Sequence, residues 1–469
     1  MTAPTVDVPN RTEPGFTEKM SYFAGNLGNI MLSTVIGSFL LIYLTDVVGI
    51  TAAAVGSLFL VARLVDGASD PIMGYLVDHL PVTRYGRFRS YLLVGGALAT
   101  ASFAALFLAP AWLSASVVAV WVTYLLWGIA FDLMDIPLNS LLPVMSGNPS
   151  TRGRLASIKG ATYLFGTALI TALTLPVVDM LGGGTAGWQT YVIAIAIISF
   201  ALTTIAARGV RERIRPVSAE KYHFADLRRM FLGNRAVPIL LVSKVATSSA
   251  SAAMMAGLPF FFSYYVGDKS LVSAVAIAMV VPMALGSIVA PALARRTGSK
   301  PAYLLSVVVV IVGLSSVALF PDLPGGAYLV CFAVTGFGFG GAVAVNYALL
   351  AELTDYVEWR SGFRAEAALA SLASFAAKAG AGIGGAAIAY TLAATGYVAN
   401  QVQDSGARVG ILLAQAVIPA ALAVVGGLIF LAYPLTRKVA ASAIAEVTRR
   451  RVAQDSNDPD RTDDLENAR

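Results

Sequence analysis

The chain has 469 residues, 57% of them hydrophobic and only 13% charged, with a mean hydropathy of +0.73. That balance excludes an ordinary soluble domain. The formal net charge of +6 comes from Lys and Arg gathered between apolar stretches, the inner rim of a membrane protein, and this excludes a nucleic-acid binder.

Met1–Glu18 is polar, without the apolar core of a cleavable signal peptide. Twelve apolar stretches come after it, each near the ~20 residues that cross ~30 Å of hydrocarbon. They are predicted as an all-α membrane protein with spans at 20–45, 52–77, 90–110, 115–142, 155–178, 189–207, 236–266, 272–294, 302–320, 327–352, 366–393 and 407–433. Gly and Pro interrupt many of them, which membrane helices tolerate where neighbours satisfy the freed backbone groups. The expected organisation is an N-terminus (1–19), a first six-helix bundle (20–207), a basic linker (208–235), a second bundle (236–433) and a tail (434–469).

Lys and Arg fall on one side: Arg11 and Lys19, Arg84–Arg89, Arg152 and Arg154, the linker, Arg295–Lys300 and the tail. The expected placement is a multi-pass plasma-membrane protein with both termini cytoplasmic. RKVAASAIAEVTRRRVAQ, after Leu435, reads as a basic amphipathic helix at the inner surface. Cys331 is the only cysteine, which excludes an intrachain disulfide, and His79 and His223 both lie in loops. Any ion chemistry within the spans therefore belongs to Asp, Glu and Lys, and no resident cofactor is expected.

The second stretch, VARLVDGASDPIMG, carries Arg63, Asp66 and Asp70 in an otherwise apolar helix. Asp66 and Asp70 are four apart and share a helical face. Each charge near the bilayer centre costs roughly 2.5–3.5 kcal/mol on insertion scales, so these carboxylates must face a partner, a cation or water. The pattern points to a coupling-ion site. If the ion is sodium, Asp66 and Asp70 become metal ligands; if it is a proton, they are its acceptors.

Other charges extend the picture. Arg84 and Arg87, past the second span, either set orientation alone or also pair with acidic residues to latch one conformation. Asp132 and Asp135 are three apart on the fourth span. Lys159 and Lys378 are either snorkelling residues or cavity cations; Lys378, deep in an Ala- and Gly-rich span, is expected to approach Asp66, Asp70, Asp132 or Asp135. Gly380, Gly382, Gly384 and Gly385 permit close helix packing there. Asp355, Glu358 and Arg364 sit where salt bridges would open and close a cavity, and Asn26 and Asn29 are polar candidates to line it.

The halves echo one another: Gly74 and Gly86 are spaced like Gly286 and Gly298, and Asn139-Ser-Leu-Leu resembles Asn346-Tyr-Ala-Leu-Leu. Either chance similarity between Gly- and Ala-rich segments or a parallel repeat of two six-helix units accounts for this, and the repeat is the plan of the major facilitator superfamily.

The runs Lys19-Met-Ser-Tyr22, Tyr43-Leu-Thr-Asp46-Val-Val-Gly49, LFLVARLVDGASDPIMG, RYGRFR, MDIPLNSL, LTDYVEWR and Ala377-Lys378-Ala-Gly380 resemble the melibiose permease-like glycoside–pentoside–hexuronide:cation symporters of that superfamily. The resemblance spans both halves. It implies a major facilitator fold of twelve helices and a cation-coupled symporter working by alternating access. Position by position, Asp66 and Asp70 match the family's cation-site carboxylates, with Arg63 the arginine before them. Ser69 stands where melibiose permeases have an Asn of that site, and Asp132 where they have a Thr. Asp135 matches a sugar-binding Asp, and Lys378 a lysine near the cation site. The helix 1 Lys-Asp pair reads Asn29-Ile30 here, the sugar-stacking Trp is Asn139, and an Arg is Lys159. The cation machinery is largely retained and the galactoside grip mostly lost, so the expected solute is a sugar, glycoside or related small molecule other than melibiose.

A lysolipid or amphiphile symporter is the rival transport reading, favoured by the apolar Ile30. A non-transporting sensor would not need the intact ion site, and an enzyme would need a nucleophile constellation that the spans do not hold. The expected partners are a small sugar-like solute and the bilayer, with the chain a monomer and the coupling ion a proton or sodium.

Overall fold

The computed structural model describes residues 13–62, 65, 86, 88–112, 116–146, 148–213, 233–361 and 366–456. Eleven of its helices are long and apolar enough to cross a membrane, and a twelfth apolar helix, Ala52–Ala62, is shorter within the described residues. In chain order they are α1 (Phe16–Val47), α2 (Ala52–Ala62), α3 (Phe88–Trp112), α4 (Val117–Met145), α5 (Pro149–Met180) and α6 (Gly184–Gly209). The second six are α7 (Ala236–Val266), α8 (Ser270–Thr297), α9 (Ser299–Leu319), α10 (Tyr328–Ser361), α11 (Glu366–Ala394) and α12 (Ser405–Leu431). A tail helix, α13 (Arg437–Ser456), closes the order.

The six N-terminal helices pack as one bundle, α1 against α5 and α6, and α3 against α4 and α6. In the second bundle α7 lies on α11 and α12, and α10 on α8 and α9. This is the twelve-helix major facilitator architecture. Lipid chains are as apolar as leucine, so close backbone approach rather than hydrophobic burial holds such helices together. Gly380 and Gly384 are where α11 meets α7: a Cβ there would sit 2.5 Å from the Val245 carbonyl oxygen and 2.2 Å from that of Ser249.

The linker side of the first bundle is tied by charged residues. There Glu18 at the start of α1 holds Arg213 in a 2.6 Å ion pair, and Arg213 N–H donates to the Val144 carbonyl at the end of α4. The Glu212 carboxylate accepts from the first-turn N–H groups of Phe88 and Arg89 and so caps α3. In the second bundle, α13 packs on α10 and buries Ala443, while Arg437 donates to the Arg296 carbonyl. The tail helix is thus docked on α10.

Two helices end alike on the far face. α1 finishes in a π-turn, Tyr43–Val47, and α7 in another, Phe261–Val266. A π-turn inserts one residue into the spiral and re-aims the side chains beyond it. In α1 it seats Tyr43 against Phe107 and Trp188; in α7 it seats Phe261 against Tyr328 and Tyr265. Gly267, at φ 84°, then turns the chain where an L side chain would be strained.

The bundles meet through α1 on α7 and α5 on α8. Asp46, on the π-turn of α1, accepts hydrogen bonds from the Tyr264 and Tyr397 hydroxyls, the latter at 2.7 Å. Asn400 adds its amide to the Asp46 carbonyl at 2.6 Å. Ser57 reaches Tyr390 at 2.8 Å, and Lys269 pairs with Asp179 at 2.6 Å. All of these ties lie at the far face.

Two helix limits differ from expectation. α5 begins at Pro149 rather than near 155, so Lys159 stands in its third turn and not at its entrance. α10 runs on to Ser361 rather than stopping near 352, because LTDYVEWR continues the helix past the apolar stretch. There Glu352 accepts from Ser299, and the Arg360 guanidinium sits 5.9 Å over the Tyr356 ring.

Candidate functional site

Asp132, Asp135 and Asn139 succeed one another on α4 at spacings of three and four, which places them in a stripe along one helix face. The stripe serves two different neighbours. Asp132, 3% exposed, accepts from the Lys378 amine of α11 at 2.9 Å, an ion pair across the two bundles. Asp135, one turn on, faces its own bundle: Asn29 of α1 donates to its Oδ1 at 3.1 Å and Asn139 to its Oδ2 at 2.8 Å. The Lys159 amine of α5 donates to the Asn139 side-chain oxygen. Lys159 and Lys378 are the cations whose charge reaches Asp135.

This arrangement can do two things chemically. Both Asp135 oxygens are held by neutral amides, and a pair of vicinal hydroxyls is the chemical equivalent of two such donors, so a polyol can take their place. At Asp132 the Lys378 ammonium is the counter-charge of a buried carboxylate. A proton or metal ion arriving there competes with that amine for the same negative charge.

Of the expected site residues, the structure brings together Asp132 with Lys378, and Asp135 with Asn29, Asn139 and Lys159. Asn26 is buried, but its amide donates to the Tyr22 carbonyl of its own helix at 2.8 Å and joins neither group. Asp355 and Glu358 lie on the last turns of α10. Arg63, Asp66, Ser69, Asp70, Arg84, Arg87 and Arg364 lie outside the described residues. Among the described residues no group of three His, Cys, Asp or Glu side chains forms a metal centre.

Two groupings escaped the sequence reading. One is the Asp46–Tyr264–Tyr397–Asn400 cluster; burial, then the adjacent Asp46 carboxylate, push the Tyr397 hydroxyl above the usual phenol range and keep it a donor. The other is Lys244 on α7, whose amine donates to Asn346 of α10 at 2.9 Å. A lone lysine inside the apolar stretch 236–266, and the likeness of Asn346 to Asn139, were the signals available for it.

The many apolar helices around this polar centre are the plan of a multi-pass membrane transporter. The profile of the family described as MFS/sugar transport protein matches residues 21–437. The isoprimeverose transporter of Lactiplantibacillus pentosus is 32% identical over 409 residues, 84% of this chain and 82% of its own. The glucuronide carrier protein homolog of Escherichia coli K12 is 28% identical over 452 residues, 93% of this chain and 96% of its own. Among solved structures, a D-xylose-proton symporter superposes with a TM-score of 0.67 at 16% identity, over 90% of this chain and 99% of that one, a likeness of fold. The chain belongs to the MFS/sugar transport protein family, and within it to the glycoside–pentoside–hexuronide type that its motifs resemble.

Proposed function

We propose that the protein is a cation-coupled symporter of a sugar or glycoside, moving its solute by alternating access with both termini in the cytoplasm. The observation that carries this reading is the Lys378–Asp132 ion pair, which joins the two bundles one turn from the Asp135 hydrogen-bond cluster. A cation that takes the negative charge from Lys378 loosens a link between the halves at the place where a solute is held. Such coupling between two ligands is reciprocal and typically amounts to ~1–3 kcal/mol. Relatives named for isoprimeverose and glucuronide transport support a glycoside as the solute.

The ties at Asp46, Ser57 and Lys269 fit a state closed at the far face. The cluster of Lys and Arg on the opposite side supports placing that opposite side in the cytoplasm. Asp66 and Asp70 are read as the primary cation carboxylates, with Ser69 beside them and Asp132 as a third. Crowded carboxylates raise one another's proton affinity, and this favours protons over sodium. The experiment is uptake into proteoliposomes of a glycoside panel under imposed proton or sodium gradients. Gradient-driven accumulation of at least one glycoside is expected, and accumulation of a lysolipid alone contradicts the reading.

A further inference from the structure

Lys244 stands eight residues after Ala236, about 12 Å into α7 at a rise of 1.5 Å per residue. Its amine donates to Asn346, which is 7% exposed, and among the described residues no carboxylate lies within ion-pair reach of it. The other two lysines of the centre are compensated: Lys378 by Asp132, and Lys159 by the charge of Asp135. Lys244 is the exception.

The Asn positions of the two bundles correspond, but the lysines reach them from non-equivalent helices, α5 and α7. In the first bundle Asn139 of α4 accepts from Lys159; in the second, Asn346 of α10 accepts from Lys244. Each bundle thus presents one Asn–Lys pair. One turn before Asn139 stands Asp135, and the equivalent position before Asn346 is Ala342. The second pair therefore lacks the carboxylate that completes the first. An ammonium in a membrane-spanning helix is costly unless a counter-charge meets it. Tyr163 of the first bundle and Tyr347 of the second are both exposed, at 56% and 72%. Tyr163 lies one turn from Lys159 and Tyr347 is the residue after Asn346, so each Asn–Lys pair has an exposed tyrosine beside it.

We propose that Lys244, oriented by Asn346, is the anchor for an anionic group of the solute, a carboxylate or a sulfonate. On this view, which rests on the transport reading above, the substrate class is the singly negative glycoside. Its hydroxyls meet Asp135 in one bundle and its anion meets Lys244 in the other. The anion supplies the charge that Ala342 does not. Lys159, already facing Asp135, is a hydroxyl donor and not the anion's partner.

The test is binding calorimetry on the purified full-length protein with methyl β-D-glucuronide, the corresponding 6-sulfonate and neutral methyl β-D-glucoside. The wild type should bind one of the anions at least about tenfold more tightly than the glucoside, the scale of one charged hydrogen bond. Lys244→Gln should reduce that ratio to near one, Lys244→Arg should keep it, and Lys159→Gln should weaken all three sugars without changing it. Because the wild-type ratio needs no variant, misfolding of a mutant does not shield the proposal. Equal affinity for anion and glucoside, or a ratio that survives in Lys244→Gln, overturns the anchor and leaves the transport reading standing. A wild type that binds none of the three overturns both.

Discussion

Lys378 of the second bundle and Asp132 of the first meet at 2.9 Å, and Asp132 is buried to 3% exposure. A charged link of this kind between two rigid bodies has two consequences: it stabilises the arrangement in which it forms, and any cation that competes for the carboxylate weakens it. Breaking a buried pair by removing one partner commonly costs about 3–5 kcal/mol, whereas replacing both partners with neutral groups costs far less. Lys378→Met should therefore lower the melting temperature and abolish coupled uptake. Lys378→Met combined with Asp132→Asn should recover most of the melting temperature but none of the coupling. Thermal unfolding of the two variants, measured beside uptake, checks this; additive losses of stability would show that the residues do not act on each other.

The Asp135 cluster makes a separate prediction. Asp135 accepts from Asn29 and Asn139 with Lys159 behind. Asp135→Ala should weaken solute binding by about 1.5–3 kcal/mol, the worth of a hydrogen bond to a charged group. Asn26→Ala, whose amide donates to the Tyr22 carbonyl of its own helix, should leave affinity within twofold or so. Calorimetric titration of both variants decides it, and equal losses would argue that Asp135 acts only through packing.

At the far face, the Tyr264 and Tyr397 hydroxyls close on Asp46. Each net hydrogen bond is worth about 0.5–1.5 kcal/mol. Tyr264→Phe with Tyr397→Phe should shift the conformational balance by about 1–3 kcal/mol toward a form open on that face. Spin-label distances between the far-face ends of α1 and α7 would then gain a longer component. An unchanged distance distribution would show that the cluster is not a latch.

Glycine packing gives a steric prediction. The Ser249 carbonyl oxygen is 2.2 Å from where a Gly384 Cβ would stand, and backbone cannot yield as a flexible side chain does. Gly384→Val should separate α11 from α7, displace Lys378 and cut uptake by more than tenfold, while Gly153→Ala, with nothing near its Cβ position, should be silent. Side-by-side uptake of the two variants tests this.

How far the sequence disclosed this molecule depends on the range of the interaction. Span positions are a local property, since twenty apolar residues must cross the bilayer whatever surrounds them; eleven helices lie where hydropathy put them, and of the expected span 52–77 all beyond Ala62 except residue 65 lies outside the described residues. Helix ends are less local. The last turns of α10 are charged and lie beyond the apolar stretch, yet Glu352, Tyr356 and Arg360 find partners that keep them helical. Pairings are the least local of all. Spacing alone places Asp132 and Asp135 on one face, but one crosses to Lys378 and the other stays with Asn29, which only the packed bundles decide. Asp46 reads as a loop charge in the sequence because Tyr264 and Tyr397 lie 218 and 351 residues away.

The central claim, that a cation bound at the carboxylates drives solute movement, is tested most directly by concentrative uptake of glycoside into proteoliposomes under an imposed proton gradient, comparing the wild type with Asp70→Asn. The wild type should accumulate glycoside in a way that collapses with a protonophore, and Asp70→Asn should not pass equilibration. Accumulation by Asp70→Asn equal to the wild type's would contradict the claim.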